Sequence, residues 1–140
     1  LARIKFKKTN VLKLGNINAK RDWGFAGDYV EAMWLMLQQK NPNDYVISTG
    51  ESHSVEEFLS LATEFCDLGD WHDFVEFDQD VMRPTDIEDL FGNSTKAQKE
   101  LNWKPKISFR ELVKMMVDHD VEYEKLYTNP LKFNKKPQGN

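Results

Sequence analysis

The alternation of hydrophobic periods along these 140 residues predicts an α/β fold. Three observations carry that prediction. Short apolar runs of strand character, "NVLKLGN", "YVIS" and "DFVEF", are separated by stretches in which apolar residues recur at helical spacing. Two S-x-x-E capping boxes, Ser54 with Glu57 and Ser108 with Glu111, each open one of those stretches. Proline and glycine stand where one period gives way to the next, at Gly15, Pro42, Gly50, Gly69 and Pro105.

Taken in order, "LARIKFKKTN" reads as the end of a helix, which suggests a piece of a longer protein. "NVLKLGN" (residues 10–16) alternates and then breaks at Gly15, a short strand running into a loop. From about Ala26, the residues Val30, Met33, Trp34 and Leu37 follow i, i+3, i+4, i+7, which predicts an amphipathic helix with that stripe on a core. "NPND" ends it, and "YVIS" (residues 45–48) reads as a buried strand. Behind the first capping box, Val55, Phe58, Leu59, Ala62 and Cys66 predict a helix to about Asp67. "DFVEF" (residues 73–77) alternates like a strand, and "DQDVMRPTDIEDLFGN" is a loop with a helical turn near Ile87. Ser94 starts a small helix to about Leu101, because Pro105 forbids its continuation. Phe109, Leu112, Val113 and Met116 stripe a last helix reaching Tyr127, and residues 128–140 read as a disordered polar tail.

Charge excludes one class of partner. Seven bases precede the first acid, Asp22, and three lysines follow Tyr127 with no acid among them. The body between them holds all 23 acids against nine bases, which argues against a nucleic-acid-binding surface. No apolar run approaches the roughly 20 residues of a membrane span. The single cysteine, Cys66, fits a reducing, cytoplasmic compartment and a packing role.

The chemistry that remains is narrow. There is no G-x-G-x-x-G and no G-x-x-x-x-G-K-[ST] loop. His53, His72 and His119 lack metal-ligand spacing with Cys66 or with one another, so no metal site is assigned. "DQDVMR" opens like a calcium loop but has Met82 and Arg83 where a ligand and the glycine belong. Two arginines stand out: Arg21 in "KRDWG" and Arg83 in "MRPTD", each in a loop just ahead of a helix. A guanidinium presents a rigid donor fork suited to phosphate, and a helix N-terminus adds positive potential. Two such loops facing one cleft would clamp a diphosphate, with Asp86 accepting from a ribose hydroxyl. The plainer alternative is a local salt bridge at each arginine, and a core wedge for Trp23.

The stretches "LGNINAKRDWGFAGDYVEAMWLMLQ", "YVISTGESHSVEEF" and "RPTDIEDLFGNSTKAQKELNWKPKISFRELVKMMV" resemble the C-terminal part of GDP-mannose 4,6-dehydratases, over roughly residues 1–127. The combination of K-R-D-W-G, S-T-G-E, R-P-T-D and L-N-W-K-P is narrower than the arginine motifs that recur across extended short-chain dehydrogenases. The resemblance implies the substrate-binding part of an extended short-chain dehydrogenase fold, with the Rossmann half and its NADP site upstream. Elements at about residues 11–39 would pack on that cofactor domain. It implies GDP-mannose as substrate: oxidation at C4, loss of water across C5 and C6, and return of the hydride to C6, in a protein that is homo-oligomeric at full length. It assigns Arg21 and Arg83 to the diphosphate, Asp86 to the guanosine ribose (many relatives carry Glu there) and the strand ending at Leu14 to the base. The family's Y-x-x-x-K pair is missing, because none of Tyr29, Tyr45, Tyr123 or Tyr127 is followed by lysine four residues on. These 140 residues alone are therefore expected to lack dehydratase activity. The competing readings are a piece of another nucleotide-sugar dehydratase or epimerase, and a module that binds a GDP-sugar without chemistry.

Overall fold

The computed structural model describes residues 1–78, 80 and 89–127. The alternating run near the start becomes β1 (Leu12–Leu14), and its hydrogen-bonding partner is β4 (Val75–Phe77). The two run parallel, in register Leu12 to Val75 and Leu14 to Phe77. Parallel neighbours need a long crossover, and everything between them in sequence supplies it. The predicted strand at residues 73–77 is shorter than expected, because a 3₁₀ turn at Trp71–Asp73, capped by the Asp70 carboxylate, takes its first residue.

A second ladder was not legible in the sequence. β2 (Lys20–Arg21) pairs antiparallel with β3 (His53–Ser54), Lys20 opposite Ser54 and Arg21 opposite His53. Two-residue strands carry no period to read. Their register is continued by the amides of Val55 and Glu56, which donate to the carbonyls of Ala19 and Ile17 at 3.2 and 2.9 Å.

The helices follow the caps. α1 (Ala2–Lys5) is a single turn. α3 (Val55–Cys66) opens on the full capping box: Ser54 Oγ accepts from Glu57 N at 3.0 Å while the Glu57 carboxylate accepts from Ser54 N at 3.2 Å. α5 (Phe109–Tyr127) opens on the second box, in which the Glu111 carboxylate accepts from Ser108 N at 2.9 Å. α4 (Thr95–Leu101) stops at Asn102, which takes a left-handed φ of 53°. α3 and α5 pack along Ala62, Cys66, Phe109, Val113 and Val117, with Trp23, Phe58 and Leu1 closing the margins. Cys66 is buried in this seam, and its carbonyl accepts from Lys5 Nζ at 2.6 Å. The packing role expected of it is the one it has.

α2 (Ala26–Leu37) forms where its period predicts, but the other way round. The stripe Val30, Met33, Trp34 and Leu37 is 61, 60, 59 and 82% exposed. The buried side is Tyr29, Ala32, Leu35 and Met36, packed against Ala97, Leu101, Trp103, Tyr45 and Ile47. The helix is apolar nearly all round, so periodicity offers two stripes and does not choose between them. Residues 45–48 also depart from expectation. They are assigned to no strand, although Tyr45 and Ile47 turn inward onto α2 and Ser48 is buried. A strand needs a neighbour to donate to and accept from, and no ladder with 45–48 exists among the described residues.

No helix among the described residues is long and apolar enough to cross a membrane.

Candidate functional site

The strands that precede the two arginine motifs in sequence end side by side, at the carboxyl ends of the parallel pair. β1 ends at Leu14 and the chain proceeds to Arg21; β4 ends beside it at Phe77 and the chain proceeds toward Arg83 and Asp86. The Leu14 carbonyl accepts from Asp78 N at 2.9 Å, so the two exits are joined where they begin. The carboxyl ends of parallel strands are where open α/β sheets bind their ligands. Leu14, half-buried, stands at that edge. Arg83 and Asp86 lie outside the described residues.

Arg21 is the second residue of β2, not a loop residue as its sequence context predicted. Its backbone is held by the ladder to His53, and its Nη1 donates to the Lys20 carbonyl at 2.6 Å. Two residues on, Trp23 wedges against Phe58 and Phe109 at ring-centroid distances of 5.1 and 6.4 Å. Its indole N–H donates to the His53 carbonyl at 2.9 Å. Trp23 is thus the core wedge, and it anchors the strand that carries Arg21.

Between these two sits Asp22, for which the sequence suggested no more than a local salt bridge with its neighbouring arginine. Among the described residues, the Asp22 carboxylate accepts four hydrogen bonds. Oδ1 takes Thr49 N at 2.9 Å and Thr49 Oγ at 2.6 Å; Oδ2 takes Gly50 N at 3.0 Å and Gly92 N at 3.3 Å. Burial by itself pushes this carboxyl upward. The hydrogen bonds from the Thr49 hydroxyl and from the three amides outweigh burial and hold the carboxyl below its ordinary range. Both glycines are there for geometric reasons. Gly50 has φ of +82°, which L side chains rarely adopt, and a Cβ on Gly92 would come within 2.6 Å of Ser48 Cβ and Oγ. The segment after the second arginine motif also returns to the turn through Asp89, whose carboxylate accepts from Ser52 Oγ.

The L-N-W-K-P motif has a comparable explanation. Trp103 is buried, and its indole N–H donates to the Asp28 carbonyl at 2.8 Å. The Asp28 carboxylate, itself buried in the first turn of α2, accepts from the amides of Lys106 and Ile107 at 2.9 and 3.2 Å. This locks the α4–α5 connection under α2.

His53 stacks on Phe109 at 3.9 Å with the rings nearly parallel, and its Nδ1 lies 2.9 Å from a Glu57 carboxylate oxygen. Its role is structural, joining β3 to α3 and α5. A groove of about 220 Å³ opens beside Trp23, lined also by Thr49, Glu51, Lys106 and Phe109; neither Arg21 nor Leu14 lines it.

Comparison with known proteins adds three findings. The family model described as GDP-mannose 4,6 dehydratase matches residues 1–116. "GDP-mannose 4,6 dehydratase 1" of Arabidopsis thaliana is 56% identical over 125 residues, which are 89% of this chain and 34% of that protein. The human protein "GDP-mannose 4,6 dehydratase" is 44% identical over 148 residues, covering 93% of this chain and 39% of its own. The chain therefore spans between a third and two-fifths of the curated relatives it matches. Among solved structures, RMD from Pseudomonas aeruginosa complexed with NADPH superposes with a TM-score of 0.76 at 19% identity, covering 87% of this chain and 40% of that one. That likeness shows the fold, the α/β extended short-chain dehydrogenase type.

Proposed function

The chain belongs to the GDP-mannose 4,6-dehydratase family, and from that premise we propose that it is the nucleotide-sugar-binding part of an enzyme converting GDP-mannose to GDP-4-keto-6-deoxymannose. The observation that carries the site is the shared origin of the two arginine segments at the carboxyl ends of β1 and β4. In this reading Arg21 and Arg83 take the diphosphate by paired charge-assisted hydrogen bonds. Asp86 takes the guanosine ribose, and Leu14 borders the base.

A nicotinamide cofactor does not fit the residues of this chain. Its diphosphate needs a glycine-rich turn ahead of a helix, and none is present in the sequence. We assign NADP to the part of the family's polypeptide outside the matched region, and no step of the reaction to a residue of this chain. The open stripe on α2 supports that division. A helix apolar on both faces is normally covered on both, so Val30, Met33, Trp34 and Leu37 mark the side that packs on the cofactor-binding part. Reaction in the cytoplasm, a place in GDP-fucose or deoxyhexose synthesis, and homo-oligomeric assembly belong to the same proposal.

Calorimetry of the chain with GDP-mannose tests the binding claim. Arg21→Ala and Arg83→Ala are each expected to weaken binding by about 1.5–3 kcal/mol, the scale of a hydrogen bond to a charged group. No heat with the unaltered chain, or unchanged affinity in both variants, removes the clamp. Tighter binding of UDP- or dTDP-sugars than of GDP-mannose would favour a sister dehydratase or epimerase. Incubation of the 140 residues with GDP-mannose and NADP is expected to yield no 4-keto product.

A further inference from the structure

We propose that Asp22 is a positioning residue for substrate binding: its carboxylate ties the strand bearing Arg21 to the segment that follows Arg83 and Asp86. The inference rests on the nucleotide-sugar reading above.

The topology joins the two arginine segments at their beginnings, through the β1–β4 ladder and the Leu14–Asp78 hydrogen bond. Asp22 joins them again at their ends, by accepting from Gly92 N. The two segments are thus tied at Leu14 with Asp78 and again at Asp22 with Gly92. Among the described residues, the donors to the carboxylate lie on Thr49, Gly50 and Gly92, distant in sequence, and divide two to each oxygen. The donors are set by backbone geometry, since one glycine has a left-handed φ and the other has no room for a Cβ.

The consequence for Arg21 follows from its place in the chain. Asp22 directly follows β2, so a carboxylate held at the Thr49–Gly50 turn fixes the backbone from which the Arg21 side chain leaves. The β2–β3 ladder holds the same backbone from the other direction, and Trp23 is fixed by its indole hydrogen bond. Arg21 is therefore followed by two anchors, the Asp22 carboxylate and the core wedge Trp23, which fix its backbone at the end of β2. A preorganised guanidinium loses less freedom on binding phosphate, which raises affinity without any added contact.

The test is Asp22→Asn in the 140-residue chain, read by amide exchange and by GDP-mannose titration. Asparagine presents an N–H₂ where two donors point, so the carboxylate's four bonds cannot all be kept. Exchange at Thr49, Gly50 and Gly92 is expected to quicken together by roughly tenfold or more, while the α5 amides around Val113 hold. Affinity for GDP-mannose is expected to fall by roughly tenfold, the scale of one charge-assisted hydrogen bond. In an Arg21→Ala background that further loss is expected to vanish, because Asp22 acts through Arg21. Unchanged exchange at Gly92 overturns the tie. An equal loss of affinity with and without Arg21 overturns the positioning role. Absence of binding by the unaltered chain instead removes the nucleotide-sugar reading, and the positioning role with it, while the exchange data still report the tie. Should Asp22→Asn not fold, Thr49→Val deletes one donor of the four, and the same readouts are expected at a roughly two- to threefold scale.

Discussion

Asp28 offers the sharpest quantitative test of how this chain holds together. Its carboxylate oxygen Oδ2 accepts from both Lys106 N and Ile107 N, at 2.9 and 3.2 Å. Asp28→Ala orphans two amides at once. An orphaned buried donor costs about 1–3 kcal/mol, and these two are only partly buried, so about 2–4 kcal/mol in total is expected. A domain of this length has on the order of 7–20 kcal/mol of stability, so the loss is large but leaves a folded protein. Asp28→Asn discriminates the mechanism. Both bonds go to one oxygen, so an amide side chain can keep both and forfeit only the charge, at about 1 kcal/mol. The third bond, from Trp103 Nε1, goes to the Asp28 backbone carbonyl and survives in both variants. Urea unfolding followed by tryptophan fluorescence measures all three proteins, with the buried Trp103 as reporter. A change of less than 0.5 kcal/mol in Asp28→Ala, or an asparagine variant as unstable as the alanine one, refutes the assignment.

Three further outcomes are expected. Met33→Glu and Trp34→Glu leave the unfolding free energy of the 140-residue chain within about 0.5 kcal/mol, whereas Ala32→Glu on the buried face abolishes folding; loss of structure in either of the first two would show the α2 stripe to be packed within this chain. The folded Asp22 carboxyl lies below its ordinary 3.8, so its contribution is complete above that pH and is lost as pH falls through the lower folded value. Melting curves of the unaltered chain and Asp22→Asn should therefore run parallel above pH 3.8 and converge below it, and curves parallel throughout would contradict the four-bond account. Burial pushes the Cys66 thiol up, against smaller opposing effects of the N-terminus and Lys5, so Ellman's reagent should label it only on unfolding; prompt labelling of the native chain would place it outside the core.

Much of the architecture was legible before any coordinate. Ser54 with Glu57 and Ser108 with Glu111 announced α3 and α5 because a capping box is a contact between residues three apart. Leu12–Leu14 and Val75–Phe77 read as strands because alternation is a property of the local chain. Which face of α2 this chain covers was not legible for the converse reason: the helix has two apolar faces, and which one is covered depends on what arrives beside it. The expected strand at 45–48 failed likewise, since a strand is defined by a neighbour.

The same division runs through the candidate site. Residue order alone singled out Arg21, Arg83 and Asp86, because a guanidinium before a helix and a nearby carboxylate are chemistry written in residue types. It also placed the chain in its family, because motif combinations are strings. Asp28 stayed hidden among 23 acids and Asp22 offered only a local salt bridge, since an acid becomes an anchor only when remote amides converge on it. Composition and short-range pattern determined the elements, their caps and the chemistry on offer. Tertiary structure alone decided which faces are covered, which carboxylates are saturated and which strand ends stand side by side, because each of these depends on residues far apart in the chain being brought within a few ångströms.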